Sequence, residues 1–321
     1  MVGKLTRNDQ LSASRICVLA NASPYQTPNQ LLAEMIGIDN GHTPTKLEQN
    51  DAMLFGDLSE PMILKAAAER LQLKDLRLEF PSAFEHPTLP FAASLDGTAI
   101  GNRAWSADPS KGIYTPQGTA MVDLTGQGVL EAKLTASPPE TVPAPFRGAP
   151  WQLQSQLMCT GLKWGVVAVL YTSPITLRLF LYQADPAIQQ RITSMIQDFE
   201  ERRKDNRPYP VLSRDDGAAA YGRSNPDHPP VELASEEARQ YLEQLVTARR
   251  NKKIADEEID EASAAIMQIM GEAEVAVGMV GNSQYQVKWP TRKTRAQPER
   301  IVAAKPASEI RQKTLTIKEI Y

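Results

Sequence analysis

Residues 91–97 read FAASLDG and residues 128–134 read GVLEAKL. The first is an apolar run that ends at Asp96 and turns at Gly97; the second carries Glu131 and Lys133 on either side of Ala132. Side chains of a strand alternate with period 2, so Glu131 and Lys133 share one face and Ala132 points to the other. An acid at a turn, a second acid and a lysine at one sheet edge are the parts for metal-assisted phosphodiester hydrolysis. Hard oxygen ligands hold Mg²⁺, and the ion lowers the pKa of a bound water and offsets charge on the phosphoryl group. The lysine orients the water or neutralises the phosphate. Glu131-Ala132-Lys133 is the only acid-x-Lys triplet in the chain. Asp123, eight residues before Glu131, competes with Asp96 for the first position; the apolar run and the glycine favour Asp96. An Asp before Gly also serves as a plain turn former.

Outward from this pair, the runs Phe91–Leu95, Gly128–Leu134, Val166–Tyr171 and Thr176–Tyr182 have the length and flanks of strands. Helices are expected over Asn29–Met35, Ser59–Leu71, Trp151–Gly161 and Asp185–Arg203. In the second of these Ser59 is a candidate cap and Pro61 falls in the first turn. Helices before, within and after a sheet indicate an α/β sandwich. Residues 206–232 are rich in proline and polar residues, the composition of a linker. The expected domains are therefore residues 1–205, the linker 206–232, and residues 233–321. The last region reads as a helical hairpin, Ser235–Arg250 and Asp256–Ala273 with Asp256 as cap. An extended basic piece, QYQVKWPTRKTR (residues 284–295), and a strand-like TLTIKEI follow.

Composition narrows the classes. Of 321 residues 42% are hydrophobic and 23% charged, which fits a folded globular chain. The longest apolar stretch, Val166–Tyr171, is far short of the roughly 18 residues of a membrane span. No secretory core follows MVGKLTRNDQ, and two cysteines are too few for a disulfide framework, so a cytoplasmic location is expected. His42, His86 and His228 lie too far apart for zinc spacing. The net charge of -3 hides an uneven distribution. Residues 232–274 carry 11 acids and 5 bases, and residues 279–321 carry 9 bases and 3 acids. In the basic segment Lys288, Arg292, Lys293 and Arg295 surround Trp289, which suits contact with a nucleic-acid strand; packing of the tail on its own hairpin or on a neighbouring subunit is the alternative.

The order NDAMLFGDLSEPMILKAAAERL (residues 50–71), SLDG, VLEAK and WQLQSQLMCTG (residues 151–161) resembles the YqaJ-type viral recombinases, the lambda-exonuclease-like branch of the PD-(D/E)xK nucleases. The resemblance spans about residues 1–205. It implies a restriction-endonuclease-like core, a mixed sheet flanked by helices. It implies that Glu60, closing the pattern Gly56-x-x-x-Glu60, reaches the active site, although a first-turn glutamate is also favoured by the helix dipole alone. Asp96, Glu131, Glu60 and the Ala132 carbonyl are the implied ligands of two Mg²⁺ ions, with Mn²⁺ as a substitute. Lys133 is the implied catalytic lysine and Gln152 the catalytic-helix glutamine, opening a Q-x-Q pattern with Gln154. Gln152, Gln154 and Gln156 also read as a solvated face.

The segment TRNDQLSASRI resembles the family's holder of a terminal 5′-phosphate, with Arg7 seven residues before Ser14. Arg15 in place of Arg7, and Ser14 as a plain cap, are the other readings. Leu95 stands where the superfamily has proline. The 35-residue step from Asp96 to Glu131 is read as an inserted loop, Gly101–Gly126, touching DNA through Arg103, Trp105 and Lys111. The implied activity is a 5′-to-3′ double-stranded DNA exonuclease that leaves a 3′ overhang for a single-strand annealing protein. The implied assembly is a homotrimeric ring and the implied setting a phage-infected bacterial cytoplasm. A restriction or branch-cutting endonuclease and a non-catalytic recombination scaffold are the rivals.

Overall fold

The computed structural model describes residues 5–43, 50–137, 139, 148–222, 226–281 and 283–290. It divides into two units, Met1–Gly222 and Arg223–Tyr321. The first opens with β1 (Leu11–Ser12), α1 (Ile16–Leu19), α2 (Pro28–Asp39) and α3 (Asp51–Arg70). Eight short strands follow: β2 (Lys74–Arg77), β3 (Phe84–Glu85), β4 (Phe91–Ala93), β5 (Gly97–Gly101), β6 (Ala104–Ser106), β7 (Ile113–Tyr114), β8 (Met121–Asp123) and β9 (Gly126–Thr135). Then come α4 (Ala149–Thr160), β10 (Trp164–Thr172), β11 (Ile175–Gln183), α5 (Pro186–Asp205) and α6 (Arg214–Tyr221).

A six-stranded mixed sheet in the order β2-β5-β9-β10-β11-β7 is the frame. β9 lies at its centre, antiparallel to β5 and parallel to β10. Period 2 sorts the central strands onto two faces. Leu130, Ala132, Val166 and Ala168 pack with Ile63, Leu64 and Ala67 of α3 and with Leu71 just past its end. Val129, Val167 and Val169 pack with Leu153 and Leu157 of α4. The expected α/β sandwich is thus α3, sheet and α4. The crossover helix α4 begins after Gly148 and ends before Gly161, both in the left-handed region that favours glycine.

Several expectations need correction. Helix α3 starts eight residues before Ser59, because Asn50 caps it by accepting from the Met53 N–H at 3.0 Å. Pro61 therefore sits inside the helix, where it has no N–H to donate to the preceding turn. The 101–126 insertion is no surface loop. β7 completes the sheet edge beside β11, β6 pairs with β8, and Ile113, Val122 and Leu124 enter the core. Arg103 hydrogen-bonds to Gln72 and stacks over Trp105, while Lys111 pairs with Asp108 at 3.0 Å.

The linker is shorter than expected. Asn29 donates to the Tyr209 carbonyl at 3.2 Å and accepts from its N–H at 2.7 Å, and Asp216 of α6 is buried. Residues 206–222 thereby belong to the first unit.

The second unit, by itself, is α7 (Glu236–Met270) followed by an antiparallel ribbon of β12 (Val275–Val280) and β13 (Ser283–Lys288). The expected helical hairpin is one continuous helix. Its supposed joint, NKKIA, holds no glycine or proline, and Lys252–Asp256 and Lys253–Glu257 bridge it at i,i+4. Asp256 is mid-helix and caps nothing. Arg292, Lys293, Arg295 and TLTIKEI lie outside the described residues.

Candidate active site

Asp96 lies where the chain leaves one sheet and enters another. β4 pairs with β1 and β3 in a separate three-stranded sheet, and β5 opens at Gly97, opposite Leu130 of β9. Pairing of β5 stops there, so from Glu131 onward the β9 edge on that side is open. The Asp96 carboxylate occupies the gap, accepting from the Ala132 N–H at 2.9 Å. A strand residue presents its N–H and C=O to the same edge, so the Ala132 carbonyl faces the Asp96 side.

Glu131 and Lys133 project together toward α4, as their period requires. Lys133 Nζ donates to Glu131 Oε1 at 2.5 Å and to Gln152 Oε1 at 3.2 Å. Glu131 is 1% exposed, and its second oxygen accepts from Gln156 Nε2 at 2.6 Å. Gln152 and Gln156 lie at i,i+4 and share a helix face. Gln156, read from sequence only as part of a solvated row, is buried and belongs to the site; its spacing from Gln152 was the available signal.

Gln154 is placed elsewhere. Two residues turn a helix by about 200°, so it faces away from Lys133. It is 1% exposed, donating to the Gln183 carbonyl at 2.7 Å and accepting from the Asp185 N–H at 2.9 Å. It ties β11 to the start of α5 and is not available to DNA.

Glu60 reaches the same place from α3. It lines one cleft of about 290 Å³ with Ser12, Ser14, Asp57, Asp96 and Gln152. It also lines a second, of about 230 Å³, with Met53, Ala132 and Lys133. Asp123 is not there. It is exposed, accepts from the Thr125 N–H and hydroxyl at 2.9 and 2.6 Å, and is held below the usual carboxylate range by them. The choice between Asp96 and Asp123 falls to Asp96.

The charges in the cleft press on one another. Burial and then the Glu131 carboxylate hold the Asp96 carboxyl well above its ordinary range. Burial, with Glu131 and Asp57 adding, pushes Glu60 up to about 7. Burial disfavours the Lys133 ammonium, but Glu131 and Asp96 outweigh it and raise that group above its ordinary value. The cation therefore persists throughout the neutral range.

The N-terminal residues are partly assembled. Ser14 sits inside a short 3-10 turn, Ala13–Arg15, with its hydroxyl 3.0 Å from that of Ser12 on the cleft wall; it caps no helix. Arg7 is exposed and pairs with Asp9 at 3.2 Å, outside the lining of the cleft. Arg15 is committed to Glu34 at 2.5 Å.

The donors suit a hard dication in kind. Asp96, Glu131, Glu60 and the Ala132 carbonyl offer only oxygen, and their mutual repulsion is what a cation relieves. In this arrangement, among the described residues, no three His, Cys, Asp or Glu side chains are close enough to enclose an ion. Among the described residues no helix is long and apolar enough to cross a membrane.

No curated protein matches this sequence. Among solved structures, the alkaline exonuclease from Laribacter hongkongensis aligns at 19% identity over 62% of this chain and 90% of its own, with a TM-score of 0.44. A phage-related exonuclease from Haemophilus somnus aligns at 11% identity over 61% and 94%, with a TM-score of 0.38. The model of the YqaJ-like viral recombinase domain matches residues 4–163. Glu60, Asp96, Glu131, Lys133 and Gln152 all fall within that match, and residues 4–163 are a YqaJ-like viral recombinase domain.

Proposed function

We propose that this protein is a divalent-metal-dependent nuclease that degrades the 5′-ended strand of linear duplex DNA, leaving a 3′ overhang for a single-strand annealing partner. The observation that carries the reading is the convergence of Asp96, Glu131 and Lys133 at the open edge of β9, with Glu60 and Gln152 on the same cleft. Asp96, Glu131, Glu60 and the Ala132 carbonyl are the residues to hold Mg²⁺ or Mn²⁺, one or two ions per site. When bound, the ion lowers the pKa of a water and offsets charge at the scissile phosphate.

The protein's own groups do the positioning. Asp96 is held by the Ala132 N–H, and Glu131 by Gln156, so both carboxylates are fixed before substrate arrives. Lys133 keeps its proton near neutrality and so cannot act as a base. It serves as a cation, held by Glu131 and Gln152, that orients the attacking water or faces the phosphate oxygen. Ser12 and Ser14 put hydroxyls on the cleft wall beside Asp96, a place for the terminal 5′-phosphate. Arg7 is its candidate cation, because an exposed pair such as Arg7–Asp9 is worth at most about 1 kcal/mol and is readily exchanged for phosphate. A trimeric ring around the duplex and a bacterial-cytoplasm setting complete the reading.

The test is cleavage of linear and nicked-circle-free circular duplex DNA of the same sequence, with Mg²⁺ and with EDTA. Release of nucleotides from 5′-phosphorylated linear ends alone, abolished by EDTA and slowed by a 5′-hydroxyl end, is expected. Cutting of the circles means an endonuclease. Binding with no cleavage in Mg²⁺ or Mn²⁺ means a recombination scaffold.

A further inference from the structure

The exposed face of α7 has an apolar spacing that nothing among the described residues of its own unit covers, whereas the same spacing in α5 (Ile188, Ile192, Met195, Phe199) is packed into the core. From Tyr241 to Ile269, positions at alternating steps of four and three are apolar at every step except Lys252. That is the heptad seam of a coiled coil, with Leu245, Lys252, Ile259 and Ile266 at a, and Tyr241, three alanines and Ile269 at d. Yet Tyr241 is 61%, Ile259 62% and Ile269 85% exposed, and among the described residues of α7 only Met270 is buried. A helix of 35 residues, about 52 Å long, draws most of its stability from packing an apolar face. Its exposed i,i+4 ion pairs add little to that.

The charges select the occupant and its direction. Arg249, Arg250, Lys252 and Lys253 stand just before Asp256, Glu257, Glu258, Asp260 and Glu261, and the helix midpoint falls at Lys253, where the basic cluster gives way to the acidic one. A parallel copy sets like charge against like. An antiparallel copy sets each basic cluster against the other's acidic one.

We propose that α7 pairs with α7 of a second copy of this chain as an antiparallel two-stranded coiled coil. The register that matches a to d positions also brings the helix ends flush. Leu245 of one copy then faces Ala262 of the other, Ile259 faces Ala248, and Ile266 faces Tyr241, so nearly every large side chain meets a small one. Arg249 meets Asp256 twice, once on each side of the axis. Lys252 faces Ala255, which leaves its stem room to keep the ammonium at the surface, on Asp256 of its own helix. A lone charged a position of this kind fixes register at some cost in stability.

The experiment uses full-length chains, one tagged and one untagged, carrying Ala248→Cys and Ile259→Cys respectively. Wild-type protein, with its buried Cys17 and half-buried Cys159, sets the baseline. On oxidation the mixture is expected to yield disulfide-linked unlike chains about tenfold above either variant alone, because facing a and d residues approach within disulfide reach. Two Ala248→Cys residues in an antiparallel pair are about 16 Å apart. Self-linking of Ala248→Cys alone means a parallel pair, and no linking in the mixture means no pair; both overturn the proposal. Independently, Ile259→Glu with Ile266→Glu in the same chain is expected to halve the solution mass measured by light scattering, since the pair joins two rings where a ring forms and two single chains where it does not, and an unchanged mass overturns it.

Discussion

Gln156 holds Glu131 in place: its side-chain amide donates to Glu131 Oε2 at 2.6 Å and to the Ser94 carbonyl at 3.1 Å, while its own oxygen is buried without a partner among the described residues. It touches no solvent and is one residue removed from the chemistry. Such an amide fixes the carboxylate oxygen that Lys133 does not. Gln156→Leu takes the donor from the buried Glu131 oxygen and from the half-buried Ser94 carbonyl, and is expected to cost about 1–3 kcal/mol of stability. Cleavage should fall about 10–100-fold, the usual effect of losing an outer partner of a metal-binding carboxylate. Gln156→Glu, which sets a second acid beside Glu131, should be worse on both measures. Chemical denaturation and initial cleavage rates check the order; a Gln156→Glu protein more stable than Gln156→Leu would refute the contact.

Asp96 and Lys133 carry opposite signs in the metal-free protein. The folded-state pKa of Asp96 is raised, so its carboxyl binds a proton more tightly folded than unfolded. Stability is therefore highest at acid pH and declines as pH rises from the unfolded value of Asp toward the folded one. Asp96→Asn keeps an oxygen for the Ala132 N–H and removes that decline. The variant should melt higher than wild type at neutral pH without metal, by about 2–4 °C for each kcal/mol regained, while losing cleavage. Lys133 has a raised folded pKa, so its contribution is full below its unfolded value and lost only as pH rises through the folded one. Lys133→Ala should lower the melting temperature at neutral pH and also abolish cleavage. Adding Mg²⁺ should stabilise wild type and leave Asp96→Asn nearly unmoved. A melting temperature for Asp96→Asn below that of wild type in EDTA would contradict the strain assigned to this carboxylate.

The parts of the site that share one element were readable in the sequence. The shared face of Glu131 and Lys133 follows from strand period, while Gln152 comes only from the resemblance to the family pattern. Parts that need two elements were not. The apolar run and the glycine favour Asp96 over Asp123, but the reason its carboxylate reaches β9 is where β5 stops opposite Leu130, which no local pattern encodes. Gln154 departs from the implied Q-x-Q role, and Gln156 from the solvated face, because helical spacing applies: i,i+4 from Gln152 reaches the site and i,i+2 turns away. The 101–126 segment looked like a loop because its strands are only two and three residues long and acquire their partners across the sheet. The joint expected in α7 failed for the opposite reason: its residues favour helix locally, and nothing nearby breaks it.

Gly128 is set against the indole of Trp164, where an added Cβ would stand 2.2 Å from the ring. That ring is fully buried and donates to the Thr125 carbonyl at 3.2 Å, so it has no free direction in which to retreat. Gly128→Ala should therefore destabilise by about 1–3 kcal/mol through overpacking. The substituted residue is on β9, three positions before Glu131, so cleavage should fall with it while Mg²⁺ still raises the melting temperature of the folded fraction. Wild-type stability in this variant would mean that β9 and β10 sit farther apart than described.

The end of the catalytic unit is set by Asn29 rather than by the proline-rich composition that follows α5. Its side chain is 1% exposed and makes both of its hydrogen bonds to the backbone of Tyr209. Arg202 adds a hydrogen bond to the Pro208 carbonyl at 2.7 Å and stacks over the Tyr209 ring. A chain ending at Arg207 strips the buried amide of both partners and uncovers α2, where α6 packs. Each buried polar group so exposed costs about 1–3 kcal/mol, a large share of an ordinary stability of about 5–15 kcal/mol. A chain ending at Gly222 keeps every one of these contacts and removes only the second unit. The shorter chain is expected to be poorly soluble or to melt well below the full-length protein. The longer one should melt near it and still cleave linear DNA, since Glu60, Asp96, Glu131 and Lys133 all lie in the first unit. Equal stability of the two truncated chains would show that residues 208–222 contribute nothing and return the boundary to the end of α5.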